Sequence, residues 1–123
     1  MGLESHEGGQ AVMDDPTVTD PGLYRVVFEN DRVRVLEYRD EPGAQTHPHD
    51  HPDSVMITLT SFRRRVSLGD QERDLEMPAA QARWVGAQRH SGRNTGDSPT
   101  HAFFVELKEP AQNPSGAPVL GPS

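Results

Sequence analysis

No stretch of ten or more residues in this chain keeps a helical period of apolar side chains, and that narrows the choice of folds more than any other feature. Short runs rich in β-branched and aromatic residues take its place, separated by turn chemistry. Residues 24–28 (YRVVF) and 32–38 (RVRVLEY) flank a Glu29-Asn30-Asp31 turn, and Asp40-Glu41-Pro42-Gly43 forms the next. A histidine-bearing strand follows and ends at Pro52-Asp53. Residues 54–60 (SVMITLT) alternate, with Val55, Ile57 and Leu59 on one face and Met56, Thr58 and Thr60 on the other. Residues 62–68 (FRRRVSL) run into Gly69-Asp70, a strong hairpin signal, and 72–77 continue the meander. After Pro78-Ala79-Ala80, residues 82–85 (ARWV) and 100–108 (THAFFVELK) read as the remaining strands. Some seven to nine short strands predict an all-β sandwich or barrel in a single domain.

The chain ends read differently. Residues 1–20 hold five acids, no base, and Gly2, Gly8, Gly9 and Pro16, a composition that does not offset its ordering entropy. Residues 109–123 carry Pro110, Pro114, Pro118 and Pro122 with Gly116 and Gly121. The expected organisation is a disordered acidic tail over 1–20, a β-barrel domain over 21–108 and a Pro/Gly-rich tail over 109–123. His6 falls in the first tail and is read as inert.

The formal charge of -7 sits mostly in that acidic tail, since residues 21–108 hold 13 acids against 12 bases. A near-neutral domain has no basic field for nucleic acid and no basic helix for a membrane surface. No apolar run approaches the ~20 residues of a membrane span, and the expected location is the cytoplasm. With no cysteine, disulfides and thiolate ligands are excluded. Hydrophobic residues are only 33% of the chain, so a core shared across a homodimer interface would ease the shortage.

Residues 41–53 (EPGAQTHPHDHPD) concentrate the chemistry. His47, His49 and His51 alternate, which on a strand puts them on one face. Two such histidines, about 6.6 Å apart along the backbone, can close on one ion at about 2.1 Å, whereas the outer two lie about 13 Å apart. The metal-binding pair is therefore 47/49 or 49/51, with the third imidazole a bystander.

Gly43 followed after five residues by His49-Asp50-His51, the preceding Glu41-Pro42, and His90 followed after three residues by Asn94 together resemble the two motifs of the cupin superfamily. The resemblance covers roughly residues 23–108 and implies a single-domain jelly-roll β-barrel. It favours 49/51 over 47/49 and implies His49, His51 and His90 as ligands of one metal ion. The motif's glutamate would fall at Val55 or Met56, neither of which can bind a hard cation, so the ligand set is reduced to three histidines. Asp53, the nearest carboxylate, is kept as a candidate fourth ligand if the strand continues, against a turn or capping role. The second motif's proline and glycine are replaced by Val85 and Ala87.

Around that set, His47 is a candidate catalytic group, orienting a ligand or shuttling protons, or else stands exposed at the barrel mouth. Arg64 shares a face with Phe62 and Val66, and is a candidate to line the pocket. There Arg64 or Arg83 would hold a substrate carboxylate, the substrate class hinted at by small cupins of amino-acid breakdown that open similarly. Arg63 and Arg65 read as solvated, His101 as surface, Asn94 as a turn residue or hydrogen-bond partner, and Trp84, Phe103 and Phe104 as core or interface.

Some cupins use three histidines alone, notably those resembling thiol dioxygenases. The resemblance thus implies an oxygenase-type enzyme acting on a small organic substrate with one divalent metal ion, iron first, with zinc, nickel, copper or manganese as alternatives. A non-catalytic metal- or small-molecule-binding cupin is one alternative. A metal-dependent isomerase or lyase is another, its base supplied by His47, Asp53 or Glu37. The expected partners are a small-molecule substrate and a second copy of the chain.

Overall fold

Turn chemistry and strand alternation set the architecture of residues 14–108, the part of the chain that the computed structural model describes. After one helical turn, α1 (Pro16–Thr19), come β1 (Tyr24–Glu29), β2 (Val33–Asp40), β3 (His49–His51), β4 (Ser54–Thr58), β5 (Phe62–Leu68), β6 (Gln71–Met77), β7 (Ala82–Val85), β8 (Gln88–Asn94) and β9 (Thr100–Leu107). All pairs are antiparallel. A five-stranded sheet runs β1-β2-β9-β4-β7 and faces a four-stranded sheet, β3-β8-β5-β6. This is the jelly roll expected from the sequence. No helix among the described residues is long and apolar enough to cross a membrane.

Two turns show how residue choice fixes the path. The Asn30 side chain accepts hydrogen bonds from the backbone N–H groups of Arg32 and Val33 at 2.8 and 2.9 Å, which closes the β1–β2 hairpin. Ala44 N–H bonds to Glu41 O at 3.0 Å across a turn that puts Gly43 at φ 87°, a conformation that side chains resist.

Register places Tyr24 beside Tyr38, and Leu36 beside Phe104, between the sheets. These four form the buried core, with Leu23 and Met56 packed against them. Phe62, Met77 and Ala102 are buried as well, and the interior also holds many polar groups: Asp40, Thr46, His49, His51, Thr58, Asn94, Thr100 and Glu106 are all buried. The outward face of the five-stranded sheet instead carries an apolar row, Phe28, Val35, Val105, Val55 and Trp84, one residue per strand. Trp84 is not a core residue, being 60% exposed on the edge strand β7.

Two expectations are corrected. The acidic tail expected through residue 20 ends sooner, because residues 14–20 pack on the barrel. Asp15 caps α1 by accepting from Thr17 N–H at 3.0 Å and is ion-paired with Arg34. Asp14 pairs with Arg89 at 2.9 Å, and its carbonyl accepts from Asp50 N–H at 2.9 Å. The acids of this segment thus find bases on the barrel, which composition alone does not show. The remainder of both expected tails, 1–13 and 109–123, lies outside the described residues.

The second correction is β8, a full strand over Gln88–Asn94, a stretch absent from the strands read in the sequence. Its inward positions are Gln88, His90, Gly92 and Asn94, so it lacks the apolar alternation by which strands are read.

Replacing Leu36, fully buried in β2, with Ala should cost about 2–5 kcal/mol, whereas Leu68→Ala at the exposed β5–β6 hairpin should cost less than about 1 kcal/mol. Urea unfolding midpoints of the two variants measure the difference.

Candidate metal centre

The site begins with a three-residue strand. His49 and His51 of β3 point inward and are 1% and 3% exposed, while Asp50 between them faces out. β8 pairs with β3 so that His90 lies directly across from His49. One ligand nitrogen from each of these three histidines lies within 4.8 Å of the other two. Among the described residues this is the group of His, Asp and Glu side chains arranged to hold an ion.

Hydrogen bonds fix which nitrogen each ring presents. His49 Nδ1 donates to the His47 carbonyl at 2.7 Å, His90 Nδ1 to Gln88 Oε1 at 2.7 Å, and His51 Nδ1 to Glu106 Oε2 at 3.3 Å. Each Nδ1 carries the proton, which leaves the Nε2 lone pairs for the space between the rings. His51 Nε2 is buried without any hydrogen-bond partner, and His49 Nε2 has only the Tyr24 hydroxyl at 3.5 Å. Buried polar atoms without partners are rare and costly, and an ion between the rings would satisfy them. The donor set fits a divalent metal bound by three neutral imidazoles.

Electrostatics agree with that protonation. Burial, reinforced by the neighbouring His51, lowers the pKa of His49 to about 4. Burial and the two other rings lower that of His90 to about 3. Both are neutral near pH 7, the state in which imidazole binds metal.

The other residues singled out in the sequence fall elsewhere. His47 is the bystander: its ring is 76% exposed and bonded to Asp20 at 2.9 Å, and only its carbonyl reaches the site. Its imidazole is not among the grouped ligands. Asp53 would share the histidine face only if the strand ran on, but β3 stops at His51, and the Asp53 carboxylate accepts from Ala87 N–H at 2.8 Å in a turn. Glu37, considered as a base, lies outside this group and is bonded to Arg25, Arg39 and His101. These bonds, that to His101 foremost, hold its pKa at about 2. His101 is thereby tied to Glu37, and Arg83 is exposed. Asn94 is buried, donating to Asp40 Oδ1 at 2.9 Å and accepting from Gly96 N–H at 2.9 Å, so it both braces the interior and closes a turn.

Arg64 does line the interior. A cavity of about 130 Å³ opens beside His49 and His90, walled by Tyr24, Tyr38, Phe62, Met77 and Phe104, among others, with the Arg64 guanidinium against it. Four residues that shape the site were missed by sequence reasoning: Tyr24, Asp40, Gln88 and Glu106. The available signal was parity. Gln88 stands two residues from His90, and Glu106 two from Phe104, so each shares a face with a residue already singled out.

No protein-family model matches the sequence, and no curated protein does. Solved structures do match. The chain is similar to a cupin domain from Bordetella pertussis Tohama I, with TM-score 0.67 and 22% identity over 71% of this chain and 93% of that one. It is similar to an RmlC-like cupin family protein with a double-stranded β-helix fold from Methanocaldococcus jannaschii, with TM-score 0.58 and 14% identity over 70% and 79% of the two chains. It is also similar to the polyketide cyclase RemF from Streptomyces resistomycificus, with TM-score 0.55 and 21% identity over 70% and 64%. At these identities the likeness is one of fold: the chain has the cupin fold, and its three-histidine cluster lies inside that barrel.

Removal of any one ligand should empty the centre. His49→Ala, His51→Ala and His90→Ala should each fall from about one metal equivalent to less than about a fifth, while His47→Ala and Asp53→Ala keep it. Elemental analysis of untagged protein reads the outcome.

A second expectation concerns pH in the metal-free protein. Above about pH 6.5 the imidazoles are neutral in both folded and unfolded chains. Below it the unfolded chain takes up protons that folded His49 refuses until about pH 4 and His90 until about pH 3. The unfolded state then binds more protons, so stability should fall by a few kcal/mol, on the order of two to four, between about pH 6.5 and 4.5. Urea titrations across that window should show it, with a smaller fall in His90→Gln.

Proposed function

We propose that this chain is a metal-dependent cupin enzyme of the oxygenase type, acting on a small organic substrate at the His49–His51–His90 centre. The observation that carries the reading is the anchoring of all three Nδ1 atoms on acceptors, which turns three Nε2 lone pairs inward beside a cavity. A divalent ion held by three neutral ligands keeps its full charge and has positions open for substrate or O₂, with iron the metal that suits oxygenase chemistry.

The chain's own residues supply the surroundings. Tyr24 lies in the core with its hydroxyl beside His49 Nε2, and burial pushes its pKa up, so it holds its proton at neutral pH. It is placed to donate a hydrogen bond to an oxygen atom bound at the centre. Phe62, Met77 and Phe104 exclude water from the cavity, which strengthens every polar contact inside it.

A second reading is favoured by the Tyr24 hydroxyl, a protonated acid with no competing acceptor closer than 3.5 Å. In that reading His49, His51 and His90 would hold an ion that supplies Lewis-acid polarisation with no redox change, and Tyr24 would donate a hydrogen bond to the polarised oxygen. The shared fold with a polyketide cyclase supports keeping it in view.

Untagged protein reconstituted with Fe(II) or Zn(II) distinguishes the two. Oxygenase chemistry predicts O₂ uptake with a panel of small organic substrates in the iron form alone. Turnover of the same panel by the zinc form, without O₂ uptake, would replace it with the Lewis-acid reading. No metal uptake at all would remove the basis of both.

A further inference from the structure

Arg64 is the cationic side chain against the cavity, and its charge is already taken. Nη1 donates to Asp40 Oδ2 at 2.7 Å and lies 3.4 Å from Thr100 Oγ1, while Nη2 donates to the Tyr38 hydroxyl at 3.2 Å. The Asp40 side chain is fully buried and that of Arg64 is 12% exposed. The second Asp40 oxygen accepts from Asn94 Nδ2 at 2.9 Å and from Thr100 N–H at 3.1 Å, and Tyr38 donates its hydroxyl proton to Oδ2. Arg64 and Asp40 therefore form a closed, internally neutral pair.

The guanidinium lies over the Tyr38 ring at 5.1 Å, and it packs so close to Gly92 that a Cβ there would stand 2.8 Å from Nη2, so the glycine leaves it the room it occupies. Drawing Arg64 toward a substrate carboxylate would strip Asp40 of its cation inside the barrel. Removing one partner of a buried ion pair is among the costlier changes a fold can undergo. Thr46, Gln88, Ser91 and Thr100 contribute uncharged polar groups to the cavity, and most of the rest of its wall is apolar, with Met56, Phe62 and Met77 among the residues.

We infer that Arg64 does not anchor a substrate carboxylate, so that the cavity beside the histidines takes the uncharged, mainly apolar body of a small molecule whose donor atom faces the three rings. The sequence had pointed Arg64 toward a carboxylate, and the buried Asp40 removes that rationale. A cavity of about 130 Å³ is near the size that accepts a single benzene ring. The inference rests on the reading of the three histidines as a metal centre.

The test uses untagged full-length protein loaded with Co(II), whose visible spectrum reports ligands entering the metal's coordination sphere. Phenol and benzoate, one ring each and differing in charge, are titrated at pH 7 into the cobalt-loaded and the metal-free protein by calorimetry. In the metal-free protein, where no bound dication attracts the carboxylate, phenol should bind at least about tenfold tighter than benzoate, and in the loaded protein a ligand that reaches the metal should perturb the cobalt spectrum. Equal or tighter binding of benzoate to the metal-free protein would overturn the inference. Failure to bind cobalt would overturn the metal reading instead, and the phenol–benzoate order in the metal-free protein would then decide the charge argument alone. Asp40→Asn, which frees the charge of Arg64, should raise benzoate affinity about tenfold. An unchanged benzoate affinity in a folded Asp40→Asn protein would also overturn the inference, and if that variant does not fold the wild-type comparison decides.

Discussion

A pairing of three residues, His49–His51 of β3 against Gln88–His90 of β8, holds the site together. It sets His90 opposite His49 and keeps His51 on the same inward face, so one short ladder determines the mutual placement of three rings. β3 is an edge strand, and an edge this short has little to hold it. The Asp14 carbonyl takes the outward N–H of Asp50, while buried Asp20 accepts from the His47 N–H and ring. The acidic segment before β1 thus works as a clamp on the histidine strand, and its carboxylates are spent on Arg34, Arg89 and His47.

The polar character of the interior follows from the same arrangement. A barrel of this size has little volume, and the residues that would make a conventional core are partly replaced by imidazoles, carboxylates and threonines. Each substitution needs a partner, and nearly all have one: Glu106 takes both His51 and Arg34, Asp40 takes Arg64, Asn94 and Tyr38, and Thr58 donates to the Pro78 carbonyl. Against that background two buried atoms among the described residues lack a partner, Ser54 Oγ and His51 Nε2, and the second lies in the three-histidine cluster.

Much of the fold was legible because turns and strand alternation are local signals. Asn30 and Gly43 sit where a turn requires them, and the runs at 24–28, 32–38 and 62–68 carry the right residues. The order Gly43, His49, His51, His90 was readable for the same reason, as spacing along one chain. What could not be read was anything set by a partner distant in sequence. Strand β8 is defined by hydrogen bonds to β3 and β5 and carries no apolar pattern of its own. Asp53 looked available because alternation would carry it to the histidine face if the strand continued, but Pro52 ends the strand and β3 stops at His51. Arg64 looked like an anion hook because its counter-charge, Asp40, lies 24 positions away in sequence on the opposite sheet.

The separation of the ligands along the chain has a consequence for how the protein reaches its working form. His49 and His90 lie on strands that β4, β5, β6 and β7 separate along the chain. No fragment spanning a single hairpin contains the centre. An ion held there would therefore depend on the paired β3–β8 ladder and not on a single hairpin, and its binding energy would add to the stability of the whole domain. Loss of such an ion would return the chain to a barrel with unfilled lone pairs at its heart.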